Sequence, residues 1–319
     1  MNNIQNSIDN LVDDIAADTL SRKKLKKTKT KEFIILSKPK ITKTKILKQD
    51  IETAKQKTLG PKLIKFRKKL YRHFKGQDLI LLNNNFKSLK IKIKYLAPET
   101  LLSKFVSGRY KLEKNKIIII NNKKKNSINH EFFHMASAFY DKEAKIAFCG
   151  FLQIIYFTKQ ALGVGLNEGY TVLLTKRYFP TEIMNNAYSY KVCEFFAKQL
   201  EKIVGKNRME TYYLSADLFG LYKYLLNFDD GSNIITLIAM LDNLVKNVSK
   251  KNTNKFEKHY ELVECYLLKL FINKKQQELN NNIIDEETFN KEIKDYIESF
   301  DNPNLNLKNY VKEKEYCLK

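Results

Sequence analysis

The chain lacks any run of apolar residues long enough to cross a bilayer, which takes roughly 18 or more. Its most apolar stretch, IAFCGFLQIIYF at 146–157, is shorter than that and suits a buried helix. The chain also lacks a basic start followed by an apolar run, because residues 1–20 are acidic. Without a membrane span or a secretory signal, we expect an intracellular, cytoplasmic protein.

Cysteine is scarce and scattered. The four cysteines form no C-x-x-C pair, and they are Cys149, Cys193, Cys265 and Cys317. In a chain of 319 residues this pattern does not indicate a disulfide framework. We expect reduced thiols that are mostly buried as small hydrophobic side chains.

Arginine is also scarce, although the formal net charge is +23. Only six of the 58 basic residues are arginine, the residue preferred for two-point contacts with phosphate and guanine. The excess charge therefore indicates a solvated, lysine-rich surface. The alternative is a basic nucleic-acid or membrane-surface binding protein, which predicts steeply salt-dependent binding by residues 21–75 and no metal.

Three regions differ in composition and in pattern, and together they predict an α+β fold. Residues 1–60 form an acidic and then lysine-rich flexible N-terminal arm, with a short amphipathic helix within 1–20 and a short strand, EFIIL, at 32–36. An alternative for this arm is contact with an anionic surface. Residues 61–180 predict a core in which a small sheet precedes the helix that carries the histidine pair, and residues 181–319 predict a helical subdomain.

Alternation of apolar and polar residues predicts strands ahead of residue 122. SLKIKIKYLA at 88–97 has the period of a half-buried strand, and GRYKLEKNKIIIINN at 108–122 predicts a hairpin. Asn126 or Ser127 can then cap a helix over 127–140.

Helical spacing of apolar residues predicts that the remainder of the chain is almost entirely helical. The predicted helices lie near 146–160, 167–178, 182–204, 209–227, 232–249, 254–274 and 285–299, after a basic helix at 60–74. Gly163 and Gly165 are expected to end the first helix of this series. The alternative is that they permit a close backbone approach.

Two of the four histidines lie four positions apart in NSINHEFFHMASAFYD at 126–141. On an α-helix this spacing places His130 and His134 on one face, one turn apart. Two imidazoles placed in this way can bind one zinc ion, and Glu131 can reach a water molecule at the metal. Apolar neighbours predict that the helix is buried, where unpaired imidazoles would be costly. The alternative is a core helix whose histidines are satisfied by hydrogen bonds.

A catalytic zinc usually takes three protein ligands. The metzincin pattern fails here, because Ser137 and Tyr140 occupy the positions of its glycine and its third histidine. His73 and His259 are distant from the pair in sequence, so we expect a carboxylate. The candidate is Glu168 in GVGLNEGYTVLLTKRYF, and the alternative for Glu168 is a surface carboxylate.

HEFFH followed by NEG on a second predicted helix resembles the gluzincin metallopeptidases, the broad class that contains thermolysin. The wider pattern, over roughly residues 105–180, is similar to uncharacterised bacterial gluzincin-like proteins. The resemblance implies a zincin-like fold and one zinc ion per chain held by His130, His134 and Glu168. It also implies that Glu131 is the general base.

Asn167 stands where this class has an asparagine beside the third ligand, which implies a supporting role. The chain departs from the class at Val172, where thermolysin-like enzymes carry an aspartate that orients one histidine, so another orienting group is needed. A tyrosine is expected to stabilise the oxyanion. The candidates are Tyr170, Tyr178, Tyr188, Tyr190, Tyr212 and Tyr213.

The function that the resemblance implies is zinc-dependent hydrolysis of peptide bonds in a peptide or protein substrate. Glu131 would take a proton from the attacking water and pass it to the leaving amine. Four successive isoleucines at 117–120 predict a strand buried on both faces, which favours the neighbouring strand as the edge that binds substrate. A non-hydrolytic zinc-binding regulator of the same fold is the alternative.

Overall fold

The structure, a computed structural model, describes residues 33–41, 45–56, 59–74, 79–94, 108–120, 128–181, 188–249 and 253–300. The predicted helix within 1–20, the two predicted capping residues before the HEFFH helix, and Cys317 lie outside these ranges. The described chain mixes α and β structure, with two small sheets and a mainly helical C-terminal region. The predicted fold class is confirmed at this level.

The elements include seven strands and eleven α-helices within the described ranges. In chain order they are α1 (Lys48–Gln56), α2 (Gly60–His73), α3 (Ile80–Ser88), β1 (Lys90–Lys94), β2 (Gly108–Lys111), β3 (Lys116–Ile120), α4 (Ile128–Ala136), β4 (Ala138–Asp141), β5 (Ile146–Cys149), β6 (Leu152–Ile155), β7 (Gln160–Leu162), α5 (Val164–Tyr178), α6 (Tyr188–Val204), α7 (Lys206–Leu214), α8 (Leu218–Leu225), α9 (Gly231–Ser249), α10 (Thr253–Asn280) and α11 (Glu286–Glu298).

The first sheet has the strand order β1–β3–β2. β1 is parallel to β3, whereas β2 is antiparallel to it, with Tyr110 opposite Ile117. The predicted hairpin is confirmed: a short 3-10 turn joins β2 to β3, and Asn115 closes the turn in the left-handed region with φ 40°. Ile117 and Ile119 are buried. β3 is therefore the central strand, and β2 is an edge.

Helix α4, which carries both histidines of the HEFFH motif, is shorter than predicted. It ends at Ala136, and the Ser137 hydroxyl donates to the carbonyl oxygen of Phe133 at 2.9 Å. Residues 138–141 then form β4, so the predicted extension of the helix to residue 140 is wrong. Pairing with β5 satisfies the backbone groups that a continued helix would have satisfied.

Residues 146–160, predicted as one helix, form strands instead, and this prediction is wrong. β4, β5, β6 and β7 make a four-stranded antiparallel meander. Gly150, between β5 and β6, has φ +56°, a conformation that glycine adopts without steric cost. A short apolar run does not by its period distinguish a buried strand from a buried helix, and the glycine turn allows two strands to pair here.

The described part of the N-terminal arm contacts this second sheet. The Gln153 side chain on β6 donates to the carbonyl oxygen of Ile34 and accepts from the N–H of Leu36, both at 2.7 Å. Residues 33–36 form no strand, so the strand predicted there is wrong. The buried Gln153 amide thus provides the hydrogen bonds that a neighbouring strand would otherwise make to the backbone of Ile34 and Leu36.

The C-terminal region is helical, as predicted. α5 packs against α6, and α9 packs against α5, α6 and α10. The single helix predicted over 209–227 is divided into α7 and α8, because Ala216 has a positive φ of 54° and Asp217 caps α8 by accepting the N–H of Gly220 at 2.8 Å. No described helix combines the length and the apolar composition that crossing a bilayer requires. The predicted domain boundaries stay a prediction.

Candidate metal centre

The two histidines of α4 project from one face of the helix into a common point. The Nε2 atoms of His130 and His134 lie 3.1 Å apart, and their rings are nearly perpendicular at 83°. Both side chains are buried. Phe132 and Phe133, on the remaining surface of the helix, are fully buried against Phe66 of α2. The aromatic contacts therefore fix the orientation of helix α4 and, with it, the side from which both imidazoles project.

Glu168 meets this pair from the first half of α5. Its Oε2 atom lies 3.2 Å from His130 Nε2, and its Oε1 atom lies 3.5 Å from His134 Nε2. One ligand-type atom from each of the three residues falls within 4.8 Å of the others. The structure thus brings together the three residues that the sequence predicts as metal ligands.

Close backbone contacts hold α5 in the position from which Glu168 reaches the histidines. A Cβ atom added to Gly165 would lie 2.5 Å from the carbonyl oxygen of Leu241, and one added to Gly163 would lie 2.0 Å from that of Phe151. The expectation that these glycines end a helix is wrong, because β7 precedes them and they permit a close approach instead. The Asp242 carboxylate of α9 accepts the N–H groups of Gly163 and Gly165 at 2.9 and 2.7 Å, and so caps α5.

The three residues fit a tetrahedral cation of the zinc type. Zinc–nitrogen bonds of about 2.0–2.1 Å imply edges of about 3.3–3.4 Å between ligand atoms. The two Nε2 atoms lie 3.1 Å apart, and the two oxygens of Glu168 lie 3.2 Å from His130 Nε2 and 3.5 Å from His134 Nε2, all close to that value. Two imidazole nitrogens and one carboxylate are also a donor set that zinc takes in catalytic sites, with a fourth position left for water or substrate.

The electrostatics of the cluster favour binding of positive charge. Burial acts to raise the pKa of Glu168, but the charges and hydrogen bonds of His134 and His130 outweigh it and hold this pKa well below its usual range. Burial acts to lower the pKa of His134, yet Glu168 and a hydrogen bond with Cys149 outweigh it and leave the pKa above its usual value. Because metal ligands must be deprotonated, protons and a cation compete for this cluster.

Glu131 lines the same cleft beside the cluster without belonging to it. Burial raises the pKa of its carboxyl group, the two histidines act to lower it, and Glu168 raises it further. The backbone N–H of Tyr110 on β2 donates to this carboxylate. A Cβ atom added to Gly108 would lie 3.1 Å from Glu131 Oε1, so glycine at the start of β2 leaves the space that Glu131 occupies.

The cleft in front of the cluster has a volume of about 540 Å³. β2 forms one wall, the β5–β6 hairpin forms another, and the ligands of α4 and α5 form the floor. Tyr156 on the hairpin side donates a hydrogen bond to Glu113, which follows β2. This pair joins the two walls at one side of the cleft.

Two further side chains contact His134 at Nδ1, the ring nitrogen that faces away from the other two residues of the cluster. The sequence singled out only Asn167. Asn167 Nδ2 lies 3.4 Å from His134 Nδ1, next to Glu168 as the NEG pattern predicts. Cys149 Sγ lies 3.7 Å from the same nitrogen, but a cysteine within an apolar run carries no signal that separates it from a core residue. Val172, the position of the missing aspartate, is buried.

Among the tyrosines predicted as oxyanion donors, Tyr190 of α6 lines the cleft, with its ring centroid 6.1 Å from that of His130. Tyr170 and Tyr178 donate to Glu201 and Glu210, outside the cleft. The Tyr213 hydroxyl is hydrogen-bonded to Thr171 at 2.6 Å. The side chain of Tyr188 lies outside the described residues, and Tyr212 does not line the cleft.

The other two histidines lie elsewhere. His73 is exposed at the end of α2 against the Tyr178 ring, and His259 Nδ1 lies 2.6 Å from Asn247 Nδ2. A second cavity, of about 650 Å³, lies along α2, and its lining is rich in basic side chains: Lys55, Lys65, Lys68, Lys69, Arg72 and His73. Contact of the lysine-rich region with an anionic surface stays a prediction.

Comparison of the chain with protein-family models, with curated proteins and with solved structures finds no match. The geometry of the cluster and of its cleft is therefore what carries a functional proposal.

Proposed function

We propose that the chain is a zinc-dependent metallopeptidase of the gluzincin type with a zincin-like core. The observation that carries this proposal is the convergence of His130, His134 and Glu168 to within 3.5 Å of one another at the floor of an open cleft. A buried histidine pair satisfied only by hydrogen bonds with Glu168 would not need an open cleft in front of it. Glu131 at the same floor supplies the fourth residue that hydrolysis requires.

His130, His134 and Glu168 would hold the metal. Zinc held in this way would polarise a carbonyl oxygen and lower the pKa of a water molecule to about 7. Because α4 and α5 are both buried against neighbouring helices, the ligands need little rearrangement to bind the ion.

Glu131 would act as the general base and then as the general acid. Its carboxylate accepts a proton from the attacking water and returns that proton to the leaving amine. Burial raises the pKa of Glu131, which brings this pKa closer to those of the attacking water and the leaving amine. The N–H of Tyr110 holds the carboxylate in one orientation while the proton moves.

β2 would bind the substrate backbone, as the sequence predicts for the strand next to KIIII. It pairs with β3 on one side, and its residues line the cleft. An extended peptide can add to such an edge by backbone hydrogen bonds. Tyr190, which lines the same cleft next to His130, is the tyrosine whose position best suits donation to the oxyanion.

The test is the zinc content of the purified protein together with hydrolysis of a peptide library. We expect about one zinc per chain in the wild type and in Glu131→Gln, and loss of zinc in His134→Ala. Peptidase activity should be lost in both variants, by a factor on the order of 100 or more for the general base. His73→Ala is the matched control, because His73 is exposed and lies outside the cluster; zinc and activity should be unchanged.

Two results would overturn the assignment in different ways. Wild-type protein that binds no zinc would remove the metal centre. Protein that binds zinc but cleaves no member of the library, in the wild type as in Glu131→Gln, would favour the non-hydrolytic regulator instead.

A further inference from the structure

Cys149 is the last residue of β5, and its side chain is buried against the back of His134. Its Sγ atom lies 3.7 Å from His134 Nδ1 and 3.3 Å from the carbonyl oxygen of the same residue, to which the thiol donates. The sulfur therefore contacts both the ring and the backbone of one residue of the cluster. Hydrogen bonds to and from sulfur are longer than those of oxygen, and both distances fall within their range.

The hydrogen bonds around His134 leave Cys149 Sγ as the acceptor of a proton on His134 Nδ1. Nε2 faces the cluster, so in a neutral imidazole that binds a metal through Nε2 the proton resides on Nδ1. Asn167 cannot accept that proton, because its Oδ1 accepts the N–H of Phe151 at 3.1 Å and its amino group, 3.4 Å from Nδ1, can only donate. The amino group would donate to Nδ1 only in the opposite tautomer, so in the metal-binding tautomer its contact with Nδ1 is not a hydrogen bond. Cys149 Sγ is the remaining neighbour of Nδ1 among the contacts that the described residues make.

We propose that Cys149 is a positioning residue for the metal centre: its sulfur accepts the Nδ1–H bond of His134 and fixes the orientation and tautomer of that ligand. It takes the place of the aspartate that thermolysin-like enzymes carry where this chain has Val172. The inference rests on the proposed metal centre and adds to it the group that orients one ligand. A metal-bound histidine almost always donates its other ring N–H, usually to a carboxylate, a backbone carbonyl or water, and here the acceptor is a sulfur.

The β5–β6 turn holds the sulfur at this place. The N–H of Gly150 donates to the carbonyl oxygen of Ser137 at 2.9 Å, which ties the turn to the end of α4. A Cβ atom added to Gly150 would lie 2.3 Å from Asn167 Oδ1, so the turn is also packed directly against α5. By contrast, His130 Nδ1 has no hydrogen-bond partner among the described residues. His134 is thus the imidazole whose orientation the described structure fixes.

The experiment measures zinc affinity by competition with a chromophoric chelator, and the protonation of the imidazole nitrogens by ¹⁵N NMR of the zinc-loaded protein. We expect zinc binding about 10-fold weaker in Cys149→Ala, and at least partly restored in Cys149→Asp, which supplies a carboxylate acceptor. In the wild type, His134 should carry its proton on Nδ1, and this proton should exchange faster with solvent in Cys149→Ala. Cys265→Ala is the control, because that thiol lies on α10 and does not line the cleft.

The failure of this inference and the failure of the metal centre give different results. If the wild type binds zinc and Cys149→Ala binds it equally well with an unchanged Nδ1–H exchange rate, Cys149 has no positioning role while the metal centre stands. A wild type without zinc overturns both. Should the alanine variant not fold, the wild-type spectrum decides alone: a His134 Nδ1 without a slowly exchanging proton in the zinc-loaded protein refutes the hydrogen bond to sulfur.

Discussion

Arg177, near the end of α5, is the cation of a buried network whose loss we expect to destabilise the protein strongly. Its guanidinium donates to both oxygens of Glu201 at 2.5 and 3.0 Å and to Glu210 at 2.8 Å. The hydroxyl groups of Tyr170 and Tyr178 donate to the same two carboxylates at 2.7 and 2.6 Å. Replacing Arg177 by methionine keeps the apolar stem but leaves two carboxylates without their cation.

The magnitude follows from the burial of these carboxylates. Only 11% of the Glu201 side chain and 4% of the Glu210 side chain is exposed, so water cannot replace the guanidinium. Removing one partner of a buried ion pair costs about 3–5 kcal/mol in free energy of unfolding. We expect Arg177→Met to lose about that much, measured by urea unfolding followed by circular dichroism at pH 7.

The neighbouring residue provides the matched control. Lys176 pairs with Glu194 at 2.6 Å, but 42% of the lysine side chain is exposed, and exposed pairs contribute about 0–1 kcal/mol. Lys176→Met should therefore have little effect. Combining Arg177→Met with Glu201→Gln and Glu210→Gln should recover part of the loss, because the buried charges are removed. If Arg177→Met costs no more than Lys176→Met, the network does not stabilise the fold.

Three further changes test other parts of the structure. Gly150→Ala should lower the thermal midpoint by several degrees and weaken zinc binding, since a Cβ atom would lie 2.3 Å from Asn167 Oδ1 and 2.4 Å from Tyr213 Cε2; unchanged unfolding would show that the turn can move. Asp242→Asn should change the pH dependence of stability. Burial raises the pKa of Asp242 from 3.8 to about 6, so the folded state binds a proton more tightly than the unfolded state does. The stabilisation that comes from this proton is fully present below about pH 4 and is lost as the pH rises through 6. Between about pH 4 and pH 6 the wild type should lose stability relative to this variant. Parallel curves of unfolding free energy against pH would contradict the raised pKa of Asp242. Tyr190→Phe should lower kcat about 10-fold or more with KM and zinc content nearly unchanged, if Tyr190 donates to the oxyanion; a rise in KM with kcat unchanged would assign Tyr190 to substrate binding instead.

Local patterns in the sequence predicted those elements whose residues carry a clear period. Alternation at 88–97 and 108–122 predicted β1 and the β2–β3 hairpin, because the side chains of a half-buried strand alternate between two faces. Helical spacing predicted α5 and most of the C-terminal helices in the same way. The spacing of His130 and His134 also determined that both imidazoles project from one face of a helix.

Contacts between residues distant in sequence decided the rest. Residues 146–160 form strands because β4 and β7 are available to pair with them, and an apolar run does not reveal its partners. Cys149 reaches His134 only because that hairpin folds back onto α4, and Glu168 reaches both histidines only because Asp242 and close helix packing hold α5 in place. The sequence alone therefore determined which side chains can bind a metal. The tertiary structure decided that they meet, since the distance between two helices is set by packing across the core and not by the residues within either helix.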